Sequence, residues 1–268
     1  MSIQLSFIGG GVMGEALLSR LIERGLYQAE TILVCDRTPD RLQQLQQQYG
    51  VQTSTNNAEA MAAEVVMLAI KPQVLDKVVA QLNETNSVKS QSLIVSILAG
   101  VPLSRLEAAF PENPVIRAMP NTPATVGAGI SAIAPGQNVT PTHLQTARNI
   151  FEAVGKVVDI PENLMDAVTG LSGSGPAFVA LFVEALGDGG VKAGLPRAIA
   201  SQLALQTVLG TAQLLQDSQL HPAQLKDRVT SPGGTTIAGV AALEDKGLRS
   251  AAIEAVYAAY TRSRELGQ

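Results

Sequence analysis

The first part of the chain alternates short apolar runs with amphipathic stretches. The runs are rich in Val, Ile and Leu, and they predict strands buried in a parallel sheet. This prediction applies to the runs at 3–8, 31–35, 64–70 and 92–97, and further strand-like runs lie at 115–119, 129–134 and 156–160. Helical periodicity is found between or beside them at 13–25, 38–48, 73–83, 102–109 and 140–153. This alternation of strand and helix predicts right-handed crossovers and an α/β doubly wound sheet.

The pattern changes after residue 160, where the strand signals stop. Long stretches rich in Ala, Leu, Val and Gly replace them at 176–193, 197–216, 235–245 and 248–266. We therefore predict a Rossmann domain over residues 1–160 and an all-α helical domain over residues 161–268.

The stretch at 176–193 is apolar on nearly every side, so a helix there must be enclosed by other helices. We expect the helical domain to bury itself against a second copy of the chain, which makes it a dimerisation domain. The sequence leaves open the alternative of a self-contained bundle that packs on the first domain.

A glycine cluster, FIGGGVMG, stands where the first strand meets the first helix. Gly9 permits a tight turn, Gly11 lets the backbone approach a pyrophosphate, and Gly14 lets helix and strand pack closely. The N–H groups at the start of the helix then face the phosphate charge. An acidic residue, Asp36, closes the second strand at the spacing typical of dinucleotide-binding folds. The context predicts an NAD(P) site.

The end of the second strand gives two opposed signals on the form of the cofactor. Asp36 would hold the ribose hydroxyls of NAD and repel a 2′-phosphate, whereas Arg37 could pair with that phosphate. Thr38 offers a hydroxyl to either form. The residues alone leave NADPH and NADH open.

Two further polar positions follow predicted strands, at the sheet edge where such folds bind ligands. Lys71 directly follows the run at 64–70, and Pro72 can begin the next helix. Asn121 and Thr122 lie between two prolines in a turn after the run at 115–119. Plain turn punctuation is the alternative for both.

A second glycine cluster, SPGGTT, precedes the helical stretch at 235–245. Pro232 suits an early helix position, where its missing N–H costs nothing. Gly233, Gly234, Thr235 and Thr236 would then present free N–H groups and hydroxyls to an anion at the positive end of the helix dipole. A simple helix cap is the alternative.

Composition narrows the function classes. The net charge is −4 and no basic stripe is interleaved with aromatic residues, so nucleic acid is not an expected partner. The start lacks the features of a signal peptide, and we expect no membrane span. Cys35 is the single cysteine, which fits a reducing cytoplasm. His143 and His221 have no partners at ligand spacing, so we expect no metal site.

These residues resemble one family as a set. FIGGGVMG, AIKP, RAMPNTPA, LSGSGPAF, GGVKAGLPR and HPAQLKDRVTSPGGTTIAGV are similar, in order and over essentially the whole chain, to Δ1-pyrroline-5-carboxylate reductase. The resemblance implies hydride transfer from NAD(P)H to a cyclic imine, the last step of proline biosynthesis. It also implies an intertwined homodimer, possible assembly into a decamer, and NADPH as the preferred cofactor with NADH as the second choice.

The resemblance also carries site residues over to this chain. In the family pattern, SPGGTT holds the substrate carboxylate through Ser231, Gly233, Gly234, Thr235 and Thr236. The cofactor residues are Gly9, Gly10, Gly11, Val12, Met13, Gly14, Asp36, Arg37, Thr38, Asn57, Ala69, Lys71, Pro72, Ala99 and Asn121. One departure concerns Asp36, because members of the family commonly carry a neutral residue there.

Imine reduction needs little acid–base machinery, because a protonated C=N group held close to the hydride donor is already electrophilic. Thr236 is the candidate that bonds the ring nitrogen or relays a proton to it, and Ser174 is a second candidate. Cys35 is expected to be a buried strand residue.

Two other functions stay open. A β-hydroxyacid dehydrogenase would pair Lys192 with an asparagine four residues on, where this chain has Pro196. A regulatory oligomer that binds a dinucleotide without catalysis would have no reason to keep SPGGTT.

Overall fold

The structure is a computed structural model that describes residues 2–84 and 92–267. The chain divides into two compact units. The first contains the described residues up to Ser174 and those from Ala259 onward, and the second runs from Gly175 to Ala258. The predicted functional boundary after residue 160 stays a prediction; the break between the compact units lies later in the chain.

Within the described residues, eight strands form one sheet in the order β3-β2-β1-β4-β5-β6-β7-β8. The bounds are β1 Leu5–Ile8, β2 Ile32–Cys35, β3 Gln52–Ser54, β4 Val65–Leu68, β5 Leu93–Ser96, β6 Val115–Met119, β7 Gly129–Pro135 and β8 Gly155–Asp159. Neighbours are parallel except β6 and β7, which are antiparallel. The antiparallel pair arises because a short 3-10 turn, Thr122–Val126, joins the two strands in place of a crossover helix.

Helices cover both faces of the sheet. Their bounds are α1 Val12–Glu23, α2 Pro39–Tyr49, α3 Leu75–Glu84, α4 Leu103–Ala109 and α5 Pro141–Glu152. Leucines and other apolar residues of α1, α2 and α5 pack into one buried cluster, while those of α3 and α4 pack into the other. Both clusters include side chains of the fully buried strands β1, β2, β4 and β5. The doubly wound α/β prediction is confirmed.

After β8 the described chain is helical. The bounds are α6 Met165–Val168, α7 Gly175–Lys192, α8 Arg197–Ser218, α9 Pro222–Arg228, α10 Thr235–Asp245 and α11 Leu248–Leu266. A π-helical turn, Thr169–Gly173, follows α6. The all-α prediction for this part of the chain is confirmed, although the sequence pattern did not single out α9.

The second unit leaves its apolar surface uncovered. Gly187 is the buried residue of α7, and α10 has none. Leu181, Leu205 and Leu209 are 66%, 59% and 59% exposed. A single chain therefore does not form the self-contained bundle that the sequence left open.

Two helical segments of the described chain are long and apolar enough to cross a membrane, by length and composition only. They are Glu162–Lys192 and Arg197–Ser218, and little of either is buried. Length and composition alone do not show a membrane span, so the expectation of none stays a prediction.

A buried ion cluster joins several elements of the first unit. Arg117 of β6 is 5% exposed and contacts Glu162 at 2.8 Å and Asp166 at 3.7 Å. Glu162 also accepts a bond from the backbone N–H of Leu103 at 2.9 Å, and Ser263 of α11 donates to Asp166 at 2.7 Å. Because a buried charge needs partners, this cluster fixes the end of α11 in the first unit.

Candidate functional site

The glycine-rich turn between β1 and α1 needs two of its glycines for packing. Gly9 has φ +107°, and a Cβ there would lie 2.5 Å from the carbonyl oxygen of Ala69. A Cβ on Gly14 would lie 2.8 Å from the carbonyl oxygen of Gly9. Side chains at either position would force the turn away from the sheet edge, as the glycine spacing predicts.

Gly11 is different, because a Cβ there would meet no protein atom within 4 Å. Its backbone is in an extended conformation that any residue adopts, with φ −72° and ψ −177°. As the N-cap of α1, Gly11 offers no side chain to the N–H groups of the first turn, which have no acceptor inside the helix. The open space and free N–H groups fit a pyrophosphate.

Asp36 lies beside this turn, but its carboxylate bonds to the protein backbone. Oδ2 accepts the N–H of Gly10 at 2.8 Å, and Oδ1 accepts the N–H of Thr38 at 3.0 Å. Sequence reasoning had weighed Asp36 against a ribose or a phosphate only, and it missed these bonds.

A cavity of about 280 Å³ opens at the carboxyl ends of β1, β2 and β4, where doubly wound sheets bind ligands. Eight of the predicted cofactor residues line it: Gly9, Gly11, Asp36, Arg37, Thr38, Asn57, Ala69 and Lys71. Arg37 and Lys71 are exposed there, and neither side chain has a hydrogen bond or ion pair with residues that the structure describes. The cavity thus contains two cations that can meet phosphate.

Sequence reasoning missed part of the lining. These residues are mainly apolar: Ile8, Cys35, Ile70, Val74 and Val78. Their periodicity indicated buried strand or helix positions, and only the geometry shows that they also face the cavity.

The other predicted cofactor residues lie outside this cavity: Gly10, Val12, Met13, Gly14, Pro72, Ala99 and Asn121. Asn121 is nearly buried, and its amide bridges two segments. Nδ2 donates to the carbonyl oxygen of Ser172 at 3.1 Å, and Oδ1 accepts the N–H of Ile130 at 3.0 Å. The structure gives Asn121 a packing role, and its contact with a cofactor stays a prediction.

Ser174 follows the π-helical turn that the bond from Asn121 supports. Its backbone N–H donates to the carbonyl oxygen of Thr169 at 2.9 Å, and a Cβ on Gly173 would meet the methyl group of Met119 at 2.7 Å. Turns of this type are frequent at functional sites. No sequence signal separates such a turn from an α-helix.

The SPGGTT segment forms a turn that leads into α10. Gly233 has φ +65° in open space, and Gly234 is the N-cap of the helix. The expectation that Pro232 lies inside the helix was wrong, because α10 begins at Thr235 and Pro232 belongs to the preceding turn. The N–H of Gly234 is not free either, since it donates to the carbonyl oxygen of Ser231 at 3.1 Å.

The free donors of this segment are therefore fewer than predicted. The N–H groups of Thr235 and Thr236 lie in the first turn of α10, where no acceptor exists inside the helix. Neither hydroxyl makes a hydrogen bond within the described ranges, and Thr236 is half-buried while Thr235 is exposed. A cap needs one acceptor, whereas this segment offers donors, as an anion requires.

Several residues with alternative roles are placed by the structure. Cys35 is buried, and burial raises the pKa of its thiol to about 12, so it is the inert strand residue that was predicted. His221 is the N-cap of α9, and His143 lies on the exposed first turn of α5. Lys192 ends α7 and Pro196 caps α8, so one helix does not carry both.

Among the described residues, no group of three His, Cys, Asp or Glu side chains is arranged to hold a metal ion. The candidate residues thus form two groups, one in each unit: a glycine-rich turn with two cations in the first, and a glycine-rich turn with free hydroxyls in the second.

Comparison with known proteins identifies the family. The chain matches the family described as pyrroline-5-carboxylate reductase dimerisation over residues 162–266 and the family described as NADP oxidoreductase coenzyme F420-dependent over residues 4–100. It is 61% identical to the pyrroline-5-carboxylate reductase of Synechocystis, with all of both chains covered. The chain belongs to the pyrroline-5-carboxylate reductase family.

Solved structures of the pyrroline-5-carboxylate reductase family share the fold over the full length. The Coxiella burnetii enzyme has a TM-score of 0.90 at 35% identity, with 100% of each chain covered. The Plasmodium falciparum enzyme, solved with NADP bound, has a TM-score of 0.89 at 32% identity, covering 99% of this chain and 98% of the other. The family resemblance stated from the sequence is confirmed, while the roles of individual residues stay predictions.

Proposed function

We infer that this chain is an NAD(P)H-dependent pyrroline-5-carboxylate reductase, which transfers hydride to the C=N bond of Δ1-pyrroline-5-carboxylate and yields L-proline. The observation that carries the inference is 61% identity over the full length to a reductase of this name. The glycine-rich turn and its cavity supply the kind of dinucleotide site that the reaction needs.

We propose NADPH as the preferred cofactor, with NADH as the second choice. The Plasmodium relative has NADP bound, and the exposed guanidinium of Arg37 is available to a 2′-phosphate. Arg37→Gln should lower kcat/KM with NADPH by about tenfold, since one charge-assisted contact is lost, and leave the value with NADH nearly unchanged. An equal loss with both cofactors would reject this role.

We propose that the carboxylate of the imine binds at the start of α10. The N–H groups and hydroxyls of Thr235 and Thr236 are the donors, with Ser231 beside them and Gly233 and Gly234 giving the turn its shape. The positive end of the helix dipole favours the anion at this position.

A bound nicotinamide supplies the hydride for the reduction. The chain's own task is to hold the imine still and to keep its nitrogen protonated. Thr236 is proposed to bond the ring nitrogen or pass a proton to it, and Ser174 is the second candidate for the same step. The lack of an assigned histidine is consistent with this chemistry, because a protonated imine needs no further general acid.

The test is a cofactor-oxidation assay. The protein is mixed with NADPH and pyrroline-5-carboxylate, and the loss of reduced-cofactor absorbance is followed with proline measured as product. Stoichiometric formation of proline is expected. Oxidation of a β-hydroxyacid with NAD, or binding of the dinucleotide with no turnover, would instead support one of the two alternative functions.

We propose that the chain works as a homodimer, with a decamer as a larger assembly of dimers. The match to a dimerisation family and the exposed leucines of α7 and α8 support a second copy as the cover for this surface. A second copy would also cover the long apolar helices, so we propose a cytoplasmic protein that does not enter membranes. From the net charge of −4 we propose that it does not bind nucleic acid.

Sedimentation velocity tests the assembly. A dimer or a multiple of it is expected in buffer without detergent. A stable monomer, or a protein that stays soluble only in detergent, would contradict the proposal.

A further inference from the structure

Gly10, in the middle of the glycine-rich turn, has hydrogen bonds at both its backbone N–H and its backbone carbonyl oxygen, so the two peptide groups that flank it are both held. Its N–H donates to Asp36 Oδ2 at 2.8 Å. Its carbonyl oxygen accepts from Arg41 Nε at 2.7 Å. The two side chains come from the end of β2 and from α2, so both are part of the scaffold and not of the turn itself.

Arg41 is held in place by the same surroundings. Its NH1 donates to the side chain of Gln44 at 2.7 Å, and its NH2 pairs with Glu15 of α1. The Arg41 and Glu15 side chains are 22% and 25% exposed, so solvent weakens this pair less than a surface pair. Since all three guanidinium nitrogens have partners, Arg41 does not need a ligand to fix its position.

A third residue completes the arrangement. The hydroxyl of Tyr49 donates to the other oxygen of Glu15 at 3.0 Å. Burial, followed by this bond to Glu15, raises the pKa of Tyr49, so the hydroxyl stays a donor at neutral pH. The residues Glu15, Arg41 and Tyr49 thus tie α1 and α2 together around the turn.

We propose that Asp36 and Arg41 are positioning residues that clamp the backbone of Gly10 from both sides and so hold the pyrophosphate-binding turn in its binding conformation. The proposal rests on the dinucleotide site proposed above. It gives Asp36 a role that explains a carboxylate next to Arg37: the charge serves the turn, and it does not select against a 2′-phosphate.

The clamp has a signature that direct ligand contact lacks. A residue that shapes the turn affects every ligand with a pyrophosphate equally, whereas a residue that touches the 2′-position changes the ratio between the two forms. ADP-ribose and 2′-phospho-ADP-ribose differ only at that position, and neither undergoes the reaction. Their binding therefore reports on the turn without any contribution from catalysis.

The first experiment measures calorimetric binding of these two nucleotides to the full-length protein and to Arg41→Lys. A lysine keeps the charge but lacks the planar guanidinium whose separate nitrogens bond Gly10, Gln44 and Glu15. Both dissociation constants should rise by about tenfold, with their ratio unchanged, because a bond to a charged group is lost. In turnover, KM for NADPH should rise while kcat at saturating cofactor stays the same.

Arg148→Lys is the matched control. Arg148 is 26% exposed and pairs with Asp159, away from the glycine-rich turn, so the same substitution there should leave both nucleotides binding as before. Glu15→Gln keeps an acceptor for Arg41 but removes the charge, and a smaller, equal loss for both nucleotides is expected. This second variant tests the clamp if Arg41→Lys does not fold.

Asp36→Asn separates the clamp from recognition of the ribose. In the native protein the N–H groups of Gly10 and Thr38 each bond one oxygen of Asp36. Asparagine has a single side-chain oxygen, so one of these bonds is lost, and the clamp predicts weaker binding of both nucleotides. Tighter binding of 2′-phospho-ADP-ribose would show that Asp36 repels the phosphate, and it would overturn the proposal. Unchanged affinities in Arg41→Lys would overturn it too, as would a loss confined to the 2′-phosphorylated nucleotide.

The outcomes also distinguish the clamp from the site on which it rests. If the unmodified protein binds neither nucleotide, the dinucleotide site is rejected and the clamp with it. If it binds both and the variants bind equally well, the clamp alone is rejected.

Discussion

The chain has two glycine-rich helix starts, and they are built on opposite principles. At the start of α1, neighbouring backbone atoms require glycine at positions 9 and 14, and the backbone N–H and carbonyl oxygen of Gly10 are both hydrogen-bonded. At the start of α10, Gly233 lies in open space and the hydroxyl of Thr236 has no partner among the described residues. The first turn is fixed by its scaffold, whereas the second keeps its polar groups available.

This difference matches what each proposed ligand demands. A pyrophosphate is the same in every turnover, so a rigid turn binds it without paying an ordering cost each time. A reacting imine changes charge and shape at its nitrogen, and free hydroxyls can follow that change. Both turns use uncapped helix N–H groups, so the neighbouring contacts, and not the glycines, distinguish them.

The largest expected effect breaks the rigid turn. Gly9→Ala combines a strained φ with a Cβ pressed against Ala69, and it should lower the free energy of unfolding by at least about 2 kcal/mol. Nucleotide affinity should fall by roughly a hundredfold, because the turn must move. Gly233→Ala also places a side chain at an unfavourable positive φ, but without a steric clash, and it should lower the free energy of unfolding by about 1 kcal/mol.

Urea unfolding and nucleotide titration of both variants at one protein concentration make the comparison. Equal destabilisation by the two substitutions would mean that packing does not set the first turn apart from the second.

The next effect removes a free hydroxyl from the second turn. Thr236→Val keeps the shape and should lower kcat/KM for the imine by about thirtyfold, as expected for a lost bond to a charged group. Nucleotide affinity should stay intact. Thr142→Val, at an exposed position of α5, is the control, and equal loss of imine reduction and nucleotide binding in Thr236→Val would reject the assigned role.

The smallest expected effect tests whether the pyrophosphate lies next to Gly11 in the first turn. Gly11→Ala adds a methyl group that meets no protein atom, so the unfolding midpoint should not fall. Nucleotide affinity should drop by about tenfold, because the methyl group occupies the space that the pyrophosphate needs. Unchanged affinity would place the pyrophosphate elsewhere.

Much of the fold was predictable because buried strand and helix positions produce a regular pattern of apolar residues in the sequence. The apolar run at 115–119 coincides with β6, and the start of each long helix agreed within about two residues, the usual accuracy of helix bounds. The strand β3 was missed because Gln52, Thr53 and Ser54 are polar and lie at the sheet edge. The antiparallel direction of β7 depends on the path of a turn, which periodicity does not record.

The site was predictable at the level of segments but not of contacts. The glycine spacing, the strand ends and the family resemblance together predicted eight residues of the cavity. That Asp36 bonds Gly10, or that Arg41 reaches its carbonyl oxygen, depends on rotamers and on the packing of α2 beside α1. Such bonds join residues 26 and 31 positions apart, and nothing local in the sequence indicates them.

The hydrogen bond between Ser263 and Asp166 has a consequence for folding during synthesis on the ribosome. Ser263 is translated after the whole second unit, whereas its partner Asp166 and the neighbouring Arg117 belong to the first unit and are translated before it. The first unit therefore cannot form this bond before the second unit has been synthesised. By the time this bond can form, the long apolar helices of the second unit have already been synthesised.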